Sequence, residues 1–433
     1  MMNSKYLWAM MPLLSLSAFA ETQFEAKLKG HVIIPAQSFI VPPKDAPYSF
    51  SHSGRFTGKG NQRVEQTGAN KNKTGIGTPF AGQPLQGFSG IKTLGNDRFL
   101  LLTDNGFGRK SNSADAMLFF HIAKIDFEND EALIEKTLFL SDPNRVVPFP
   151  IQTEHSETRY LTGADFDPES IQPIEGGYII GEEFGPYILT TDSDGVVTSF
   201  HETRVNGHLY RSPDNPMADF TSGKDKFDVP RSGGYEGMAA SPDGRFVYPM
   251  LEKPTIGDKS GLRYLKVFEF DVAKRVFTSN VYKYPLHENA AAIGDFNLID
   301  DRRALVIERD NGQGDEDKSC KISAKPCFSN PAKFKRIYLV DLKAKDANGL
   351  AKKLGYIDLM DIQDPDKLAK LGARKDGRFT FPFVTIEDVD RFNDNHIIVG
   401  NDNNFPFSQG RHPVNADNNE FILLEVGPFL KQK

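Results

Sequence analysis

The chain has little that would staple or anchor it. Its 433 residues include two cysteines, too few for a disulfide scaffold or a four-thiolate zinc site. Neither sign of charge dominates: 52 Lys and Arg face 58 Asp and Glu, for a formal net charge of −6. There is no basic stripe, so a nucleic-acid partner is not expected. Beyond the first twenty residues no apolar run is long enough to span a membrane. The nine histidines are scattered and form no ligand pattern. No Gly-x-Ser-x-Gly elbow is present, and Gly75-Ile76-Gly77 is too short a glycine pattern to carry a nucleotide site. Apolar residues at 39% and charged residues at 25% leave an ordinary soluble globular composition.

The first segment reads as an export signal. Lys5 gives a positive start, Leu7 to Leu16 is apolar, and Ala18-Phe19-Ala20 is a small-residue cleavage site before Glu21. The expected location is periplasmic or secreted, with residues 21–433 as one mature domain. Trp8, the one tryptophan, falls in the removed part. In an oxidising compartment Cys320 and Cys327 are expected to form a local disulfide. A metal-bound or reactive thiol is the competing reading, and no histidine lies nearby to support it. A monomer is compatible with the sequence.

Short apolar runs fill the rest. Phe99 to Leu102, Tyr178 to Ile180, Phe246 to Tyr248, Ala304 to Ile307 and His396 to Val399 are bounded by Gly, Asp and Asn, which is the strand signature. Phenylalanine is abundant at 34 and suits stacked sheets. A helix of one or two turns is expected over Asp366 to Leu371, opened by Asp364-Pro365 and followed by Gly372.

Five segments share one layout. A small or acidic residue opens a short strand, a turn follows, and a second strand ends in an acid or amide. The openings are Ser89, Glu169, Glu236, Asp295 and Glu387; the endings are Asp104-Asn105, Glu182-Glu183, Glu252-Lys253, Glu308-Arg309-Asp310 and Asn401-Asp402. Opening and ending lie 13 to 16 residues apart with the turn midway. A hairpin therefore brings them together: Glu169 with Glu182, Glu236 with Glu252, Glu387 with Asn401. Repeated sheets without intervening helices predict an all-β propeller of five or six blades with a few short helical insertions. Val32 to Ile34 and Ser38 to Val41 are expected to pair with Phe421 to Val426 and close the ring.

Taken singly, each acid reads as turn chemistry. Taken together, they crowd one mouth of the channel, where like charges are costly unless some protonate or a cation intervenes. The candidate ligands are Asp104, Glu169, Glu182, Glu183, Glu236, Glu252, Asp295, Glu308, Asp310, Glu387, Asn401 and Asp402. Amides such as Asn105, Asn297, Asn311, Asn403 and Asn404 could add neutral oxygens. An oxygen-only set points to calcium or another hard divalent cation, not zinc or copper. Such an ion can polarise a phosphoryl or ester oxygen and acidify water. Arg309 and Lys253 would steady the substrate's oxygens, with Glu236 and Glu252 as further catalytic candidates; Arg411 and His412 could add positive charge. Each of these cations could equally be an ion-pair partner of the acids beside it.

Phe88-Ser89-Gly90-Ile91, Asp167-Pro168-Glu169-Ser170-Ile171, Gly181 to Gly185, Tyr235-Glu236-Gly237-Met238, and Asn401 to Pro406 with Asp417 to Phe421 resemble the phytase-like family with esterase-like activity. The resemblance spans roughly Gly82 to Val426. It implies a secreted propeller related to calcium-dependent phosphoesterases, and the expected partner is a small-molecule ester or phosphoester. Two other readings stay open: a calcium-dependent lactonase or carboxylic esterase, and a non-catalytic, calcium-stabilised binding propeller.

Overall fold

The computed structural model describes residues 21–55, 74–221 and 226–433. Residues 1–20, and with them the expected export signal, lie outside that set. Five sheets, antiparallel apart from the short outer strands Gln23–Phe24 and Ile362–Gln363, form five blades, each starting at the channel. Blade 1 runs Phe88–Gly95, Arg98–Thr103, Phe119–Asp126 and Glu131–Phe139. Blade 2 runs Pro168–Ile174, Gly177–Glu182, Tyr187–Asp192 and Val197–Glu202. Blade 3 runs Tyr235–Ala240, Phe246–Leu251, Tyr264–Asp271 and Val276–Pro285. Blade 4 runs Ala292–Leu298, Arg303–Arg309, Lys335–Lys345 and Ala351–Asp358. Blade 5 takes Asp388–Arg391, His396–Gly400 and Asn419–Glu425 from the end of the chain.

The fourth strand of blade 5 comes from the other end of the chain. Lys27–Ile34 pairs antiparallel with Asn419–Glu425, with Val32 opposite Phe421. This closes the ring and fixes the count at five. Phe39–Ile40 does not join it, pairing instead with Gln83–Pro84. The expected helix after Asp364 is absent. Asp364 accepts the Leu368 and Ala369 N–H groups at 2.7 and 3.2 Å, so its side chain folds a loop instead. Among the described residues one short α-helix, Gly427–Leu430, follows blade 5. No helix there is long and apolar enough to cross a membrane.

Strand alternation explains the apolar runs. Neighbouring residues point to opposite faces, and each blade packs on both. In Leu305-Val306-Ile307, Leu305 and Ile307 pack toward blade 5 with Val389 and Ile397, while Val306 packs toward blade 3 with Met250 and Val267. The other interfaces repeat this, with Leu100 and Leu102 against Ile180, Ile179 against Met238, and Leu101 against Ile398. Full burial of each such side chain contributes roughly 1.5–3 kcal/mol. Cys320 and Cys327 are disulfide-bonded in the loop leading to the third strand of blade 4, with Cα atoms 4.9 Å apart.

Candidate functional site

Local irregularities place the acids. In blades 2 and 3 the first hairpin carries one extra residue at its open end. Pairing passes from Pro168–Glu182 to Ser170–Gly181, and from Tyr235–Leu251 to Gly237–Met250. The extra residues are Glu169 and Glu236, and a bulge of this kind re-aims a side chain. Just past the second strand, Asp104, Glu183 and Glu252 donate their N–H groups to the carbonyls of Gly87, Asp167 and Gly234, each at 2.8 Å. These three acids thus hold equivalent places in blades 1, 2 and 3. A Cβ at Gly234 would collide with the Glu183 carbonyl; glycine there lets blade 3 close on blade 2.

The outcome is two interlocked groups of carboxylates. Oxygens of Asp167, Glu169 and Glu183 lie within 4.8 Å of one another, and so do oxygens of Glu183, Glu236 and Glu252. Glu183 belongs to both. Arg309, the last residue of its strand in blade 4, reaches in from the side. Its Nη2 stands 3.2 Å from Glu387 and 3.9 Å from both Glu236 and Glu252. Ser89 donates to the other Glu387 oxygen at 2.9 Å, and Lys253 Nζ lies 2.9 Å from Glu252.

The electrostatics are one-sided. Burial, then repulsion from Asp167 and from Glu236 or Glu252, pushes the carboxyls of Glu169 and Glu183 well above the usual range. Glu236 is raised by burial and then by Glu252 and Glu387. Asp104 is raised by burial and then by Asp167, Asp402 by burial and then by Asp104, and Asp167 reaches about 6 through burial. Burial works against the charge on Arg309, but Glu387, Glu236 and Glu252 outweigh it and hold its pKa up.

The structure draws some candidates in and leaves others out. Asp104, Glu169, Glu183, Glu236, Glu252, Glu387, Asp402, Arg309 and Lys253 share the mouth. Glu308 does not: Arg309 faces the channel, so strand alternation turns Glu308 away to Tyr284 and Lys353, both at 2.6 Å. Asp310 is held by the Lys333 and Phe334 N–H groups and by Lys335 at 3.0 Å. Glu182 caps the turn at Phe184 and Gly185, and Glu183 takes the place beside Glu169. Asn401 binds backbone of Asn418 and Glu420. Arg411 is consumed by Glu420 at 2.6 Å, and His412 is exposed and binds the Val414 N–H. Of the amides, Asn105 Oδ1 accepts the Gly108 N–H at 2.9 Å and Asn403 Oδ1 the Gly87 N–H at 3.4 Å, while Asn404 donates to Thr385.

Two residues belong here that the repeat alone does not reveal. Asp167 stands just before the strand, two residues ahead of the bulged Glu169, and its carboxylate meets those of Glu169 and Glu183. Lys110, from the loop between the second and third strands of blade 1, rests 4.2 Å from the Phe184 ring centroid. Burial lowers its pKa against the pull of Glu182, Asp214 and Asp167.

The donor set can be tested against a metal. Five buried or nearly buried carboxylates in two tight groups offer oxygen alone and repel each other. That fits a hard divalent cation and fits zinc or copper poorly.

The family model described as "Phytase-like: Esterase-like activity of phytase" matches residues 83–405. The chain belongs to this family. No curated protein matches the sequence. Among solved structures, a luciferin-regenerating enzyme aligns at 11% identity and a TM-score of 0.32, over 78% of this chain and 92% of its own. The Dos1 propeller aligns at 10% and 0.30, over 79% and 69%. Kuenenia stuttgartiensis hydrazine synthase aligns at 10% and 0.30, over 74% and 78%. Likeness of that degree carries no argument. The five-bladed ring stands on its own strand pairing, and with the family it describes a hydrolase-type propeller.

Proposed function

We propose that this chain is an exported, calcium-dependent phosphoesterase acting at the channel mouth. Asp167, Glu169, Glu183, Glu236 and Glu252 would hold the cation, with Asp104, Glu387 and Asp402 completing the acidic rim. A bound cation supplies Lewis acidity, polarising ester oxygens and acidifying water. The protein's own side chains do the rest. Arg309 offers a planar fork to the phosphoryl oxygens, while Lys253 and Lys110 add point charges on either side. Glu236, in the second group, would take the proton from the attacking water.

The observation that carries this reading is the guanidinium of Arg309 standing among carboxylates of blades 3 and 5, beside the two groups that share Glu183. Export is supported by the local disulfide and by the leader-like start of the sequence. The family description favours a second reading, hydrolysis of a carboxylic ester or lactone at the same mouth.

Hydrolysis of aryl phosphate and aryl acetate, each with calcium and with chelator, separates these readings. Calcium-dependent release from the phosphate, lost in Glu183→Gln, is the expected result. Release from the acetate alone would establish the second reading. Bound calcium with neither substrate cleaved would leave a binding propeller.

A further inference from the structure

The channel is not open from end to end. Asn297, on the inner strand of blade 4, and Gln172, on that of blade 2, meet across it, both about 1% exposed. Gln172 Nε2 donates to Asn297 Oδ1 at 2.8 Å and to the Met238 carbonyl of blade 3 at 2.7 Å. Asn297 Nδ2 lies 3.2 Å from the Ile91 carbonyl of blade 1 and 3.0 Å from the Val389 carbonyl of blade 5. It also lies 3.1 Å from Asp295, which accepts the Val389 N–H at 2.9 Å. Two side chains thus touch all five inner strands.

Their depth links them to the mouth. The strand residues at this level are Ile91, Gln172, Met238, Asn297 and Val389. Two or three residues earlier stand Ser89, Glu169, Glu236, Asp295 and Glu387. Two residues of strand are roughly 7 Å, so the carboxylate level lies one layer of side chains above this contact. Within a blade, ladder hydrogen bonds set register. Between inner strands of different blades no ladder exists among the described residues; Asp388 and Asp390 of blade 5 accept the Gly90 and Thr93 N–H groups of blade 1 at 3.2 and 2.7 Å, and apolar faces by themselves specify sliding weakly. The amide pair supplies directional bonds where the sheets supply none. Gln172 Oε1 is buried without a partner. An apolar side chain would avoid that cost, so packing alone does not account for the residue.

We propose that Gln172 and Asn297 form a crossbar that sets the relative register of the five inner strands and so positions the carboxylates of the mouth. They are positioning residues, one layer of side chains below the carboxylates. The consequence for cation affinity rests on the calcium reading above; the consequence for strand register does not.

The test uses the mature chain carrying Gln172→Met, which keeps side-chain length and removes both donors. The control is Leu265→Ala, a core truncation within blade 3. Calcium titration and amide hydrogen exchange are measured on each. Gln172→Met is expected to weaken calcium binding about tenfold or more, as loss of supporting contacts does at metal sites. It should also speed exchange at inner strands of all five blades. Leu265→Ala should lower the melting temperature, leave calcium affinity unchanged and confine faster exchange to blade 3 and its neighbours. Should Gln172→Met fail to fold, Gln172→Glu, whose protonated carboxyl keeps one donor, is judged by the same two readouts. Exchange confined to blade 2, or a calcium loss equal to the control's, would overturn the crossbar. If the parent chain binds no calcium, the functional reading fails while hydrogen exchange still decides the crossbar.

Discussion

Blade 5 and the channel mouth both bury charge, and they treat it in opposite ways. In blade 5, Glu420 is fully enclosed. Arg411 meets it through Nε at 3.0 Å and Nη2 at 2.6 Å, and His31 closes the set at 2.9 Å. The guanidinium is walled by the rings of Phe379, Phe381 and Phe383 at 5.0, 5.7 and 4.9 Å. Burial pushes the Glu420 carboxyl up, but Arg411 and His31 more than offset it, and its pKa is lowered. At the mouth, Glu169, Glu183 and Glu236 are buried and end with raised pKa values. One cluster carries its own counter-charge. The other carries an excess of acid that Arg309 only partly relieves. Buried charge that is already neutralised reads as architecture; buried charge left in excess reads as a place for something to bind.

That contrast sets the expected results, from largest to smallest. Arg411→Met should leave Glu420 enclosed without its partner and cost about 3–5 kcal/mol of stability, measured by denaturant unfolding. The folded fraction should bind calcium normally. Glu183→Gln should do the reverse, weakening calcium binding about tenfold to a hundredfold while leaving the chelated protein as stable as before or more so. A large loss of stability in Glu183→Gln would erase the distinction between the two regions.

A pH series sharpens it. Carboxyls whose folded pKa is raised, such as Asp167 to about 6 through burial, bind more protons in the folded than in the unfolded chain. Stability from these groups is therefore present at low pH and falls as pH rises through their folded values. In chelator, the melting temperature should decline as pH rises through about 6, the folded value of Asp167, relative to an Asp167→Asn variant. Calcium should remove the decline. The smallest effect belongs to the disulfide. Cys320→Ser with Cys327→Ser should lower stability by about 2 kcal/mol or less and leave calcium titration unchanged.

Much of this was legible in the sequence, and the limits are instructive. The recurring opening acid, turn and closing acid marked five hairpins, because a propeller repeats one supersecondary unit. The closure by Val32 to Ile34 was also readable, since blade 5 otherwise has three strands. What the pattern could not give was parity at strand ends. Glu308-Arg309-Asp310 holds three charged residues in a row, and only the pairing of Arg309 with Ala292 decides which one faces the channel. Nor could it separate Glu182 from Glu183, because the bulge at Glu169 shifts the partner by one. Arg411 was unreadable for a different reason: its partner and its three aromatic neighbours come from separate stretches of chain. Asn297 looked like a ligand and is instead part of the crossbar, a role that depends on four other blades.

Isothermal titration of the purified mature protein with calcium near pH 7.5, after exhaustive chelation, tests the central claim most directly. The account predicts saturable binding that Glu183→Gln, at the junction of the two acid groups, severely weakens. No heat of binding and no calcium-dependent rise in melting temperature in the parent protein would contradict it.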